Sequence, residues 1–367
     1  MRKILVFLAV LLVVASSVSA ITIYPLDKAQ MLAGARFDLK VEFDGIETNA
    51  GVSVTINGRP YAEVIGKRSP LVLEKLSDGK MASALVLRDV TLPAGKYAVT
   101  AVAGGEKKSV LWEVFPAAQQ ASARNVIFLI ADGLSIGHRT AARLMSKGNT
   151  EGTTNGILNF DRMERMGLIG TSSVDAITVD SANSMSAYMT GHKSSINALG
   201  VYADRTSDPF DDPKQETIAE IIRRTTNKSI GIVSDAELQD ATPAAVVGHT
   251  RRRAEKAALV ESFYKLQPEV ILGGGSAYFI PQSTPGSKRK DNINYVEKFQ
   301  QDGYQLVTTN TELKNLRGDA APEKLLGLFV PGNFDGALDR LFLKKGNVGK
   351  YPEQPDVATM AEVAVDV

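Results

Sequence analysis

The chain has 367 residues, more than one ordinary domain holds and enough to bury a large core. Its 42 lysines and arginines balance 41 aspartates and glutamates, which leaves no net electrostatic argument for a nucleic-acid or membrane-surface partner. Cysteine is absent, which excludes disulfides and a lipid-modified cysteine, so stability must come from core packing or bound metal.

In chain order, Arg2 and Lys3 precede an apolar run from Ile4 to Ala15, and Val18 and Ala20 stand at the small-residue positions of a cleavage site. This pattern predicts a signal peptide over residues 1–20 and an exported protein, periplasmic or extracellular. The run is shorter than the roughly 20 residues of a membrane span, so no span is expected after cleavage. Next, Phe37, Leu39, Val41 and Phe43 alternate with charged residues, and Val52, Val54 and Ile56 alternate into an Asn57-Gly58 turn. Leu85 with Leu87, and Tyr97 with Val99 after Pro93-Ala94-Gly95, extend the pattern. A small all-β sandwich is predicted over residues 21–116, with a structural or docking role, since no cluster of titratable or metal-binding residues marks it.

Residues 117–124, AAQQASAR, read as a linker. Beyond them the period changes. NVIFLI (125–130) is a continuous apolar run, as expected of a strand buried on both faces of a parallel sheet, and it leads through Ala131-Asp132-Gly133 into a helical stretch. SIGIVS (229–234), EVILGGG (269–275), YQLVTT (304–309) and LLGLFV (325–330) repeat the theme between helix-length segments such as 215–224. This is α/β alternation over residues 125–367, and ligands in such folds sit beyond the carboxyl ends of the strands. Val357, Met360, Ala364 and Val367 share one helical face behind an N-cap at Asp356, and no stop signal follows; the expectation is a chain cut in mid-helix.

Three segments can carry chemistry. Asp132, after a predicted strand and before a glycine, either caps the next helix or holds a hard cation. Ser181, in TVDSANSMSAYMTG, is either an N-cap or a nucleophile at the electropositive start of a helix. With no histidine near it in sequence except His192, metal activation is the better candidate, and its small neighbours would let a tetrahedral group approach. Asp240 and Thr242, just before Pro243, suit the first turn of a helix at the mouth of a site. Arg253, eleven residues after Thr242 and so roughly three helical turns on, offers a fork for two phosphoryl oxygens. Singly these are a capping acid, a capping hydroxyl and a surface arginine; together they describe an oxyanion and metal site.

NVIFLIADGLS, VDSANSMSAYMTGHKSSINALGV and AELQDATPAAVVGHTRRR, with GGGSAYF and KLLGLF in order behind them, resemble the alkaline phosphatase family from Asn125 onward. The resemblance implies a three-layer α/β fold with a largely parallel central sheet, C-terminally truncated here, and metal-dependent hydrolysis of small phosphomonoesters through a phosphoserine. It implies Ser181 as nucleophile and metal contact, Asp132 as a bridge between one zinc and a magnesium, and Thr242 as a magnesium ligand. Asp240 would be a ligand of that magnesium or a partner of its ligands, and Arg253 the clamp on the phosphoryl oxygens. Two zinc ions and one magnesium are the implied cofactors, and a homodimer is the implied assembly. Asn183 and Met185 stand where the family usually has smaller residues. His138, His192 and His249 match none of the family's zinc ligands and are expected to be structural. Alternatives are a related phosphodiesterase or sulfatase with the same metal core, or an inactive, truncated, exported binding protein.

Overall fold

In the computed structural model, residues 21–46, 51–118, 120, 122–343 and 351–367 are described. The signal-like segment 1–20 lies outside them. Two β-sheets occupy the first part and share one apolar core. Their elements are β1 (Ile21–Tyr24), β2 (Ala29–Leu32), β3 (Phe37–Asp44), β4 (Ser53–Ile56), β5 (Arg59–Pro60), α1 (Tyr61–Ile65), β6 (Leu71–Lys75), β7 (Met81–Val90), β8 (Gly95–Ala103) and β9 (Glu106–Phe115). One sheet runs β1-β3-β7-β6 and is antiparallel; the other runs β2-β9-β8-β4-β5, with only the β2–β9 pair parallel. The β4–β5 hairpin turns at Asn57 (φ 50°) and Gly58 (φ 78°), the two left-handed positions that the Asn-Gly pair supplies at least cost. Leu39, Val41 and Phe43 point from β3 into the shared core, where Val99, Ala101 and Trp112 answer from the second sheet. Alternation would ordinarily send Asp38, Lys40 and Glu42 into water, yet all three are buried too, because the chain around residues 204–216 covers that face.

The second part contains α2 (Ile136–Lys147), the short hairpin β10 (Asn149–Thr150) and β11 (Thr153–Thr154), α3 (Ser181–Thr190), α4 (Ile218–Thr225), β12 (Gly231–Glu237) and α5 (Ala241–Ala244). There follow α6 (Lys256–Leu266), β13 (Val270–Gly274), α7 (Tyr295–Gln301), β14 (Gln305–Val307), α8 (Asn310–Lys314), β15 (Leu325–Leu328) and α9 (Val357–Asp366). Strands β12-β13-β15-β14 form a wholly parallel sheet. Successive residues of a strand face opposite sides, so Ile271 and Leu326 pack on α3, α5, α6 and α7, while Val270, Leu272 and Leu325 pack on α8 and α9. The result is the helix–sheet–helix layering of an α/β fold. No helix among the described residues is long and apolar enough to cross a membrane.

Two expectations fail locally. NVIFLI is not a strand: Val126 is 83% and Leu129 76% exposed. A doubly buried strand needs a ladder and a helix layer on each face, and β12, at the sheet edge, ladders only with β13. Phe128 keeps one edge-to-face contact with Tyr188 of α3. The last helix does begin behind Asp356, whose carboxylate accepts from the Thr359 amide at 2.7 Å, and Met360, Ala364 and Val367 of the expected face pack on the core, but Val363 joins them and Val357 is exposed.

Candidate active site

Asp180, not Ser181, caps α3: its carboxylate accepts from the Asn183 amide at 2.9 Å and the Asn197 amide at 2.7 Å. Ser181 is the first helical residue, and its hydroxyl, freed from capping, accepts from Arg253 Nη1 at 3.0 Å. The small residues behind it have a packing role. Ala182 and Ser186 are fully buried, and Ser186 Oγ donates to Ala198 O and accepts from the Gly200 amide, so α3 lies close against that loop. Asn183 and Met185 are buried beside them. Gly191 ends the helix in the left-handed region at φ 77°.

The acids and hydroxyl after β12 also escape their bland readings. Asp240 precedes α5 without a side-chain cap bond; its carboxylate instead accepts from Arg253 Nη2 at 2.8 Å. Thr242 Oγ donates to Asp132 Oδ2 at 3.0 Å, and the helix after Asp132 is capped by Ser135. Arg253 does not ride a long helix from Thr242, since α5 ends at Ala244. It returns through a backbone bridge between Leu199 and Thr250 and a bond from its own amide to Asn197 O at 2.9 Å. Burial alone would raise the Asp240 carboxyl, but the Arg253 bond, the Ala241 amide and the charges of Arg253 and Lys256 hold it below its ordinary value. Two lysines that the sequence did not mark as site residues extend this row. Lys256 Nζ bonds Glu237 and lies 4.0 Å from Asp240, and Lys288 Nζ lies 3.6 Å from Glu237. Glu237, three residues before Asp240 and at the end of β12, was the available signal.

Residues 123–367 match the family model for alkaline phosphatase. The chain belongs to the alkaline phosphatase family. It is 31% identical over 258 residues to alkaline phosphatase 4 of Bacillus subtilis (strain 168), covering 68% of this chain and 50% of that protein. It is 31% identical over 274 residues to alkaline phosphatase of Escherichia coli (strain K12), covering 67% and 53%. Among solved structures it is similar in fold to Thermus thermophilus alkaline phosphatase (TM-score 0.50, 24% identity, 64% of this chain and 44% of that chain). The cold-active alkaline phosphatase of Shewanella sp. gives TM-score 0.50 and 24% identity over 65% of this chain and 51% of that one. The chain spans about half the length of the curated relatives it matches. The family match begins beyond both sheets of the β-rich region.

The donors in this chain fit one cation type better than another. Asp132, Thr242 and Asp240 offer oxygen, which suits magnesium. Zinc wants three or four protein ligands, with histidine prominent, and among the described residues each histidine is engaged elsewhere. His138 meets Ser135, and His192 Nδ1 meets Tyr202 Oη at 2.9 Å. His249 lies between Gly200 O and Glu220, 2.9 Å from each. Burial pushes His192 down to about 4; burial also opposes charge on His249, but Glu220 outweighs it and raises that imidazole. Among the described residues, then, the oxygen donors suit a magnesium ion, and no histidine joins them. Asp204, Asp211 and Asp212 form a close carboxylate group, but Lys40, Arg251 and Thr206 already bond it.

Proposed function

We propose that this chain carries the phosphate-binding and nucleophilic half of an exported alkaline phosphatase that hydrolyses small phosphomonoesters. The observation that carries the reading is one guanidinium, Arg253, bonded at once to the Ser181 hydroxyl and the Asp240 carboxylate. A forked cation beside a hydroxyl at a helix start is what an incoming phosphoryl group requires: two N–H donors for its oxygens and an electropositive approach to its phosphorus. In the proposed reaction Ser181 Oγ loses its proton and bonds to phosphorus as the bond to the leaving oxygen breaks, and the departing alkoxide gains a proton. Water then attacks the phosphoserine, releasing inorganic phosphate and restoring the hydroxyl. Arg253 holds the non-bridging oxygens through both steps, and Asp240 keeps the guanidinium in place between turnovers. Magnesium held by Asp132 and Thr242, which already share a hydrogen bond, would supply positive charge against which the transferring group is neutralised.

The test is hydrolysis of p-nitrophenyl phosphate at alkaline pH, with added magnesium and zinc, by the whole enzyme that contains this chain and by the same enzyme with Ser181→Ala; this chain by itself is expected to turn over negligibly. Loss of all metal-stimulated turnover in the variant is expected; undiminished turnover removes Ser181 from the reaction. Rates on a diester measured in parallel separate a monoesterase from a related phosphodiesterase, because a monoester brings two negative charges and a third free oxygen to the Arg253 cation where a diester brings one charge and a second ester group.

A further inference from the structure

The β-sandwich precedes the family match, yet its buried charges reach the segment that leads to Arg253. Lys40 of β3 is 0% exposed, and its Nζ lies 2.6 Å from Asp204, 2.7 Å from Glu74 and 3.5 Å from Glu42. Arg251 takes up the other side of Asp204 at 2.9 Å and holds Asp212 through Nε at 2.9 Å and Nη2 at 2.6 Å. Backbone bonds join the same surfaces: Asp38 N to Lys214 O, Glu216 N to Arg36 O and Ser77 N to Arg205 O, each at 2.9 Å. Arg88 of β7 reaches across to Asp212 O at 3.1 Å and back to Asp38 at 2.6 Å. A tethered accessory module would meet its neighbour through wetter and looser contacts than these.

One residue, Arg252, separates Arg251 from Arg253, and this segment is held on its other side as well. Leu199 and Thr250 exchange backbone bonds at 2.7 and 2.9 Å, Arg253 N donates to Asn197 O, and Asn197 N donates to Asp180, the cap of α3. A desolvated ion cluster of this kind contributes little net stability, because dehydration offsets attraction; what it restricts is geometry.

We propose that the β-sandwich is a positioning element of the phosphate site. Lys40 orients Asp204; Asp204 and Asp212 orient Arg251; and Arg251 anchors the strand-like segment that sets Arg253 against Ser181. Lys40 is thus a positioning residue that never meets the substrate. This rests on the phosphate-site reading above.

The test uses the full chain with magnesium and reads inorganic phosphate affinity by calorimetry, beside amide exchange at residues 197–200 and 250–253. Lys40→Met is expected to weaken phosphate binding at least tenfold and to speed exchange in both segments, with Lys40→Arg restoring most of both. Val99→Ala, a core change in the sandwich remote from the ion cluster, is expected to lower stability while leaving phosphate affinity within twofold. Binding and exchange in Lys40→Met equal to the native chain overturn the proposal, as does an equal loss of affinity in Val99→Ala. Arg253→Ala is the separate control: if it binds phosphate as well as the native chain, the phosphate-site reading fails and the exchange measurement alone decides the positioning. Should Lys40→Met not fold, exchange in the native chain decides: amides of Leu199, Thr250 and Arg253 opening together with those of β3 support the proposal, and independent, much faster opening refutes it.

Discussion

Strand β3 and the NVIFLI segment look alike as hydrophobic signals and end in opposite environments. FDLKVEFD carries four charged residues and has nearly every side chain buried; NVIFLI carries none and is exposed along its length. The difference lies in partners. β3 has a strand on each side, an apolar core on one face and a set of counter-charges on the other, so even Lys40 finds a bonded place. NVIFLI has neither ladder nor cover among the described residues. Hydrophobicity supplies the drive toward burial, but only a preformed complementary surface supplies the place.

That contrast can be broken most forcefully at Lys40. Lys40→Met leaves two buried carboxylates short of a counter-charge and is expected to cost about 3–5 kcal/mol in a denaturant titration; a cost under about 1 kcal/mol would mean the outer face of β3 is wetter than described. Leu39→Ala, on the inner face, is expected to cost about 2–4 kcal/mol by the same measurement, through lost burial and the cavity left behind.

A smaller effect follows from Glu42. Burial, opposed by Lys40 and reinforced by Asp204 and Glu74, pushes its carboxyl up to about 7. The folded state therefore keeps a proton that the unfolded chain gives up near its ordinary 4.5, so this contribution to stability is complete below that value and is lost as pH rises toward 7. Burial raises Asp212 to about 6 in the same sense, despite its bond to Arg251. The stability difference between the native chain and Glu42→Gln should fall between pH 5 and 7.5 by at most about 3 kcal/mol, and a pH-independent difference would contradict it. The smallest effect is expected on the exposed segment: Leu129→Ala should change stability by less than about 0.5 kcal/mol, and a core-sized loss there would show that NVIFLI is covered in solution.

Much of this molecule was legible without coordinates. The β4–β5 turn at Asn57-Gly58, strands β12 to β15, the helices between them and the Asp356 cap all follow from short-range rules, because periodicity, turn chemistry and capping are decided by residues a few positions apart. Ser181, Asp240, Thr242 and Arg253 were legible as a set of residue types suited to phosphate and a hard cation. Their actual bonds were not: Arg253 comes to Ser181 from 72 positions away and Thr242 to Asp132 from 110, by a loop return that the helical spacing misjudged. The tertiary structure alone assigned the capping of α3 to Asp180 and of α2 to Ser135, buried the charged face of β3 and left NVIFLI in water. Those outcomes depend on which distant surfaces meet and how completely they exclude solvent, and no local pattern along the chain encodes that.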